Sequence, residues 1–431
     1  MQSLLLVVTA IAVLGLSAAR GDDWPHWRGP DRNDHSPEDS GFSAGHWPLG
    51  DADWNASLGI GSASPIVVGD RLYTLGWHEG REHVVCLDIA TGKTLWSESY
   101  PAPQYGRKAT GDEGIYGGPS STPEYDPATK LLYTLGADGD LHCWRTATGK
   151  QRKVWGKNLY QEYDPPQRPR FGRSGLRDYG YTSSPLVQGD VLIVEVGDEE
   201  GTLMAFDKRS GQRRWKSECI DAAGHSGGPV PMTVEGVPCV AVLTCQRLLV
   251  ARIDAKHAGQ TVAQFDWATD FANNIATPAV QDDCVLITSA YNQNALCKLQ
   301  VSLDGAKELW RQPYPSKVCS PIIHDGHVYL AWQKLRCLDF ETGELRWEGG
   351  QFGDDGSCLL TADKRLLVWG RGSLALANSA EQSPGGYQEL ARHNGISGSD
   401  VWPHIVLAQG RVFCKDRQGA LRCFRVKRPE G

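Results

Sequence analysis

Gly224-His225-Ser226-Gly227-Gly228 fits G-x-S-x-G, the pattern in which a serine nucleophile stands on a tight turn. That chemistry needs a helix straight after the serine, whose amides help stabilise an oxyanion. Pro229-Val230-Pro231 deny the helix its early turn, so the segment reads as a glycine-rich connection. His78-Glu79-Gly80-Arg81-Glu82-His83 is one residue longer than the zinc motif H-E-x-x-H. It also falls in a hairpin loop, where two rings cannot share a helix face. Thr91-Gly92-Lys93-Thr94 has the ending of a phosphate-binding loop, but Leu87 stands where the first glycine must be. Asp198-Glu199-Glu200 offers calcium-type oxygens at what reads as an acidic hairpin tip. No catalytic residue and no metal site is assigned.

The chemistry that survives is recognition. Residues 150–177 hold 8 Lys or Arg against 2 Asp or Glu, in a chain whose formal charge is −7. Tyr160, Tyr163, Phe171, Tyr179 and Tyr181 are interspersed through or beside that stretch, and Pro165, Pro166 and Pro169 limit its freedom. Aromatic rings with arginine are the usual anchors of an interface. Arg168, Arg170, Arg173, Tyr179 and Tyr181 are therefore expected to form a rim that contacts an acidic partner or a polyanionic ligand. A binder of nucleic acid working through its overall field is excluded by the excess of acids, 51 to 44.

The elements that must position this rim are strands. Gly is 49 of 431 residues, Trp (15) outnumbers Phe (9), and blocks of helix-forming residues do not occur. Three segments share D-x-x-[TS]-G-x-x-x-W: Asp88, Thr91, Gly92, Trp96; Asp207, Ser210, Gly211, Trp215; and Asp339, Thr342, Gly343, Trp347. Looser copies set Thr148-Gly149 before Trp155, Gly259 before Trp267 and Gly305 before Trp310. Upstream of each stands a small residue with Pro, then an apolar run and a tight turn, as in Ser64-Pro65, Ser184-Pro185 and Ser320-Pro321. Two degenerate copies follow, around 359–376 and 405–424, which makes eight. Trp-to-Trp steps run from 37 to 60 residues, so insertions lengthen some units.

Each unit reads as four antiparallel strands, and the whole as an all-β, eight-bladed β-propeller. A blade cannot bury both faces alone, so each Trp is expected to fill the wedge against a neighbour. The eighth unit stops at Phe424-Arg425-Val426 without a fourth strand, while Asp53-Trp54-Asn55 precedes the first unit with a Trp to spare. The N-terminal strand should therefore complete the last blade and remove a sheet edge. Both long insertions, 97–119 and 156–181, are inter-blade loops, which leave a four-strand meander at the same end as the second-to-third-strand loops.

The repeat, with its S-P-x-V-x-G-D start, resembles the pyrroloquinoline-quinone-like (PQQ-like) repeat propellers over roughly residues 50–426. Trp24-Pro25-His26-Trp27-Arg28-Gly29-Pro30 also resembles the opening of exported members of planctomycete type. The resemblance implies a scaffold like the BamB-type proteins of outer-membrane assembly, which bind no quinone. Its alternative is a PQQ- and calcium-dependent alcohol or sugar dehydrogenase. Such enzymes carry a ring of adjacent cysteines against the quinone, and this chain has no Cys-Cys pair. Carbohydrate binding by surface aromatics such as Trp332 and Trp402 is a third reading.

An uncharged apolar run, Leu4 to Leu16, precedes Ser17-Ala18-Ala19 and reads as a secretory signal. The expected organisation is a signal at 1–19, an extension at 20–50, the propeller at 51–426 and a tail at 427–431. A soluble monomer in the periplasm or outside the cell is expected, with no span left after cleavage and no bound cofactor. Of twelve cysteines, Cys86, Cys143, Cys337 and Cys423 recur at one place in the repeat. Packed sheets lie ~10 Å apart, too far for a disulfide between equivalent positions. Cys239 with Cys245 is the local pair to test.

Overall fold

The computed structural model describes residues 22–103, 117–147, 151–165, 180–270 and 273–426. The expected signal, the tail and Thr148-Gly149 lie outside the described residues. Eight antiparallel sheets follow one another along the chain. They occupy residues 66–101 (blade 1), 124–158 (blade 2), 186–216 (blade 3), 230–266 (blade 4), 279–312 (blade 5), 322–353 (blade 6), 357–393 (blade 7) and 406–425 (blade 8). Residues 357–393, which hold the degenerate copy around 359–376, make a full four-stranded blade. In blade 6 the second and third strands run together as His327–Asp339, with Gln333 at φ 59° where they turn.

Closure follows the sequence expectation. Trp54–Ser57 pairs antiparallel with the last strand of blade 8, Trp54 opposite Cys423 and Ser57 opposite Ala420. Asp53 bridges Arg411 and Arg425 at 2.8 and 3.0 Å across this seam. Deeper in it, the Lys415 ammonium donates to the carbonyls of Gly61, Ala63 and Leu75 at 2.7–3.1 Å, tying blade 8 to blade 1. Burial pulls this amine down to about 7. Three carbonyls matched to three N–H donors act the other way and favour its charged form.

The repeat motif is a wedge-and-socket device. In the socket, Asp88 Oδ1 accepts from Ala90 N, Thr91 N and Thr91 Oγ1, closing a tight turn. Asp207 and Asp339 build the same turn. Gly92, Gly211 and Gly343 then adopt φ of 68–74°. Conformation is half the reason for glycine there. A Cβ would also lie 2.5 Å from the Trp54 ring at Gly92, and 2.8 Å from Trp155 and Trp310 at the other two. Each indole lies on the next blade's turn and donates its N–H to a carbonyl there: Trp54 to Ile89, Trp155 to Lys208, Trp310 to Phe340.

Strand register identifies which residues share the wedge position. Trp96, Trp155, Trp347 and Trp54 stand opposite Cys86, Cys143, Cys337 and Cys423, and Trp215 opposite Ala205. Trp267 is the exception. Blade 4 places Ala263 opposite Val250, and Trp267 follows the strand, fully buried, with its N–H on Ser289 Oγ at 2.7 Å. It locks a loop rather than wedging a blade. No two of the twelve cysteines are bonded to each other in this structure, and Cys239 and Cys245 stand apart. Cys239 stands in strand Val237–Leu243 and Cys245 in the turn beyond its end; the four extended residues from Cys239 to Leu243 alone span ~13 Å, more than a disulfide bridges.

Candidate functional site

The first strands of the blades surround a central channel, and the small residue before each Pro explains itself there. Ser64 N donates to Thr122 Oγ1, Thr122 N to Ser184 Oγ, and Thr277 N to Ser320 Oγ, each hydroxyl serving the preceding blade. His404 N on blade 8 donates to Ser64 Oγ, so the hydroxyl belt crosses the seam. Backbone N–H groups facing the axis would otherwise lack partners.

One end of the channel is closed by the chain's own N-terminal extension. Trp24 pairs with Val67 of blade 1, and the Trp27 indole reaches the axis, donating to Thr277 Oγ1 at 2.8 Å and lying 4.4 Å from the His404 ring. Arg28, 2% exposed, bonds Asp34 Oδ2 at 2.5 Å and the carbonyls of Pro278 and Pro321. Glu124 of blade 2, also buried, receives His26, the Arg32 guanidinium and the Val187 N–H of blade 3. Burial, the largest single influence, would raise both carboxyls, but the guanidinium charges together with the contributions of His404 and His26 outweigh it and hold Asp34 and Glu124 below their ordinary values. Further on, residues 34–36 pair in parallel with Leu360 of blade 7.

The other end is open. A funnel of about 870 Å³ is lined from inter-blade loops by His225, Asn273, Lys317, Asp354, Asp355, Asp400 and Trp402. Second-to-third-strand loops add Tyr291, Arg371 and Arg417. Both loop classes do emerge at one end, as the meander requires. Lys317 pairs with Asp354 at 3.0 Å, and Arg417 with Asp400 at 3.1 Å while lying 5.5 Å over the Trp402 ring. Asp355 accepts Val401 N and Arg371 N at 2.9 and 3.2 Å, and burial raises its carboxyl. At the funnel floor His225 Nδ1 bonds Asn273 Oδ1 at 2.7 Å.

Of the expected rim, Arg168, Arg170, Arg173 and Tyr179 lie outside the described residues. Tyr181 is 1% exposed, packs against Tyr160 and donates its hydroxyl to Val196 O at 2.9 Å. It belongs to the wall between blades 2 and 3 and leaves the rim: its apolar ring outweighed its charged neighbours in sequence. Ser226 sits in a two-residue strand beside Asn274, donating to the buried Glu195 at 2.5 Å, with no helix following. His78 and His83 stack face to face, centroids 3.7 Å apart, across a hairpin. Apart from Trp402, the funnel residues escaped sequence reading because they are scattered over the connections of blades 3 to 8. Trp27 and Arg28 were signalled by an aromatic-basic motif outside the repeat.

A family profile described as outer membrane protein assembly factor BamB matches residues 80–348 and 246–422. BamB from Moraxella catarrhalis superposes with a TM-score of 0.56 at 13% identity, over 88% of this chain and 99% of that one. Quinohemoprotein alcohol dehydrogenase from Comamonas testosteroni gives 0.67 at 15%, over 96% and 83%. Sqt1 of Saccharomyces cerevisiae gives 0.57 at 10%, over 88% and 97%. At such identities these likenesses concern the fold alone. No curated protein matches the sequence.

Proposed function

The chain belongs to the family described as outer membrane protein assembly factor BamB, and from that premise we propose that it is an exported, non-catalytic scaffold that binds a protein or polyanionic partner in the cell envelope. The observation that carries this reading is the asymmetry of the channel. One mouth is sealed by buried ion pairs of the chain's own extension, whereas the other presents a charged, aromatic-bearing funnel of about 870 Å³. Among the described residues no helix is long and apolar enough to cross a membrane.

Two features support the scaffold over a quinone-dependent dehydrogenase. Among the described residues no three His, Cys, Asp or Glu side chains converge to hold a metal ion. Beneath Trp402 the channel narrows to a cavity of about 60 Å³ bounded by Trp27 and His404, too small for a planar three-ring quinone.

The test is affinity capture from the envelope with the intact chain, a Lys317→Ser/Arg371→Ser/Arg417→Ser variant and an Arg168→Ser/Arg170→Ser/Arg173→Ser variant. A partner whose capture weakens with salt and is lost in either variant supports the reading. Capture unchanged in both overturns it. So would quinone absorbance that stays with the protein on a sizing column, with dye reduction, after addition of PQQ and calcium.

A further inference from the structure

Equivalent positions on neighbouring blades are too far apart for a disulfide, but blades are not parallel plates. They fan out from the axis, so their inner strands approach one another most closely. Cys319 and Cys358 lie in that inner zone at non-equivalent positions. Cys319 is two residues ahead of Pro321 at the start of blade 6, and Cys358 is inside the first strand of blade 7, Ser357–Leu360. Their sulfurs are 3.8 Å apart, hydrogen-bonded to each other, and both residues are buried. Ala331 N donates to Cys319 Sγ at 3.3 Å, which fixes that side chain. An S–S bond of ~2.0 Å requires the sulfurs to close by less than 2 Å, within the reach of small χ1 adjustments.

We propose that Cys319 and Cys358 form a disulfide that staples blade 6 to blade 7 beside the channel axis. The sulfurs are enclosed in the folded chain, so the bond forms before blade 7 docks on blade 6. One thiolate attacks a disulfide-bearing oxidant, giving a mixed disulfide and releasing one of the oxidant's sulfurs as a thiol. The second thiolate attacks that mixed disulfide at the protein sulfur and expels the other. Two protons and two electrons leave the cysteine pair, and the oxidant ends as a dithiol. The bond closes a 39-residue separation and acts on a strand already held from its other side. Leu360, two residues past Cys358, exchanges backbone hydrogen bonds with Asp34 and Ser36 of the N-terminal extension. The staple thus anchors the strand against which the channel plug rests. Its supply of oxidant in the cell rests on the export reading; its geometry does not.

Purified chain is unfolded, refolded with oxidised glutathione, denatured again and alkylated. The expected result is two fewer alkylated thiols than the twelve of the reduced chain, a mass lower by two hydrogens, and a peptide map joining Cys319 to Cys358. The oxidised form should melt a few degrees higher than the reduced one. A Cys319→Ser/Cys358→Ser variant should lose this difference, and a Cys239→Ser/Cys245→Ser variant should keep it. Twelve alkylated thiols in folded, glutathione-oxidised protein, or a bond mapped to another pair, overturns the proposal. Alkylation of the chain within its own cells tests the export reading separately: reduced thiols there with a closed bond after refolding count against export and for the geometry.

Discussion

The two mouths of the channel use similar charged residues under opposite conditions. At the plugged mouth Arg28 and Asp34 meet with side chains 1% exposed, and further N–H groups of Arg28 donate to the carbonyls of Pro278 and Pro321. At the open mouth Lys317 and Asp354 meet at a similar distance with side chains 36% and 51% exposed. Water makes the difference. In the first case each partner is the other's replacement for a lost hydration shell, so removing one strands a buried charge. In the second, solvent replaces whatever is removed. The plug is therefore a structural clamp, whereas the paired funnel charges keep their contact with solvent.

Arg28→Ala tests that contrast most severely. It leaves Asp34 without its counter-charge and frees the carbonyls of Pro278 and Pro321, which should cost about 3–5 kcal/mol in denaturant unfolding. A loss under ~1 kcal/mol would place the plug outside the cooperative fold and make the two mouths alike.

A second contrast concerns buried carboxyls and the direction in which pH acts on them. Glu124, at the plug, is held below its ordinary 4.5 by Arg32 and His26. The folded chain has shed a proton that the unfolded chain still binds, so this contribution is lost as pH falls below about 4.5. Glu82 lies at the other end of the blades and accepts from the Tyr100 hydroxyl and the Ala137 N–H, at 2.7 and 2.9 Å, with no cation against it among the described residues. Burial lifts it to about 7. Here the folded chain keeps a proton that the unfolded chain loses above 4.5, and stability should fall, by on the order of 3 kcal/mol, as pH rises from 4.5 to 7. Glu82→Gln should flatten that neutral-side slope and leave the acid-side slope intact, and Glu124→Gln should do the reverse. Unfolding curves at a series of pH values read both.

Legibility in the sequence followed the same division. Blade number, the closing strand and the wedge tryptophans were readable because they repeat: Asp88, Asp207 and Asp339 build one turn three times, and a pattern repeated is a pattern detectable. Trp267 was misread because counting from a glycine cannot register the longer turn of blade 4, where Ala263 takes the wedge. The site was mostly hidden. A funnel assembled from Lys317, Asp355, Arg371 and Arg417 has no local spacing, since each residue comes from a different connection and only the ring brings them together. Tyr181 was misassigned for a related reason: composition marks a segment as basic and aromatic without saying which side chains turn inward.

The smallest expected effect is the most telling for function. Lys317→Ala and Arg417→Ala each remove the cation from a pair whose carboxylate stays in water, Asp354 at 51% and Asp400 at 43% exposed, and each should change unfolding stability by ~1 kcal/mol or less. Arg417 is the more informative of the two, because its guanidinium also covers the Trp402 ring 5.5 Å away. Losing that cover exposes apolar surface in both the folded and the unfolded chain, so the stability change stays small while the floor of the funnel changes character. Intrinsic Trp fluorescence should report the altered surroundings of Trp402 even where the melting curve does not move. A loss of several kcal/mol in Arg417→Ala would show that the open mouth is clamped like the plugged one, and that its charges hold the ring together instead of waiting for a partner.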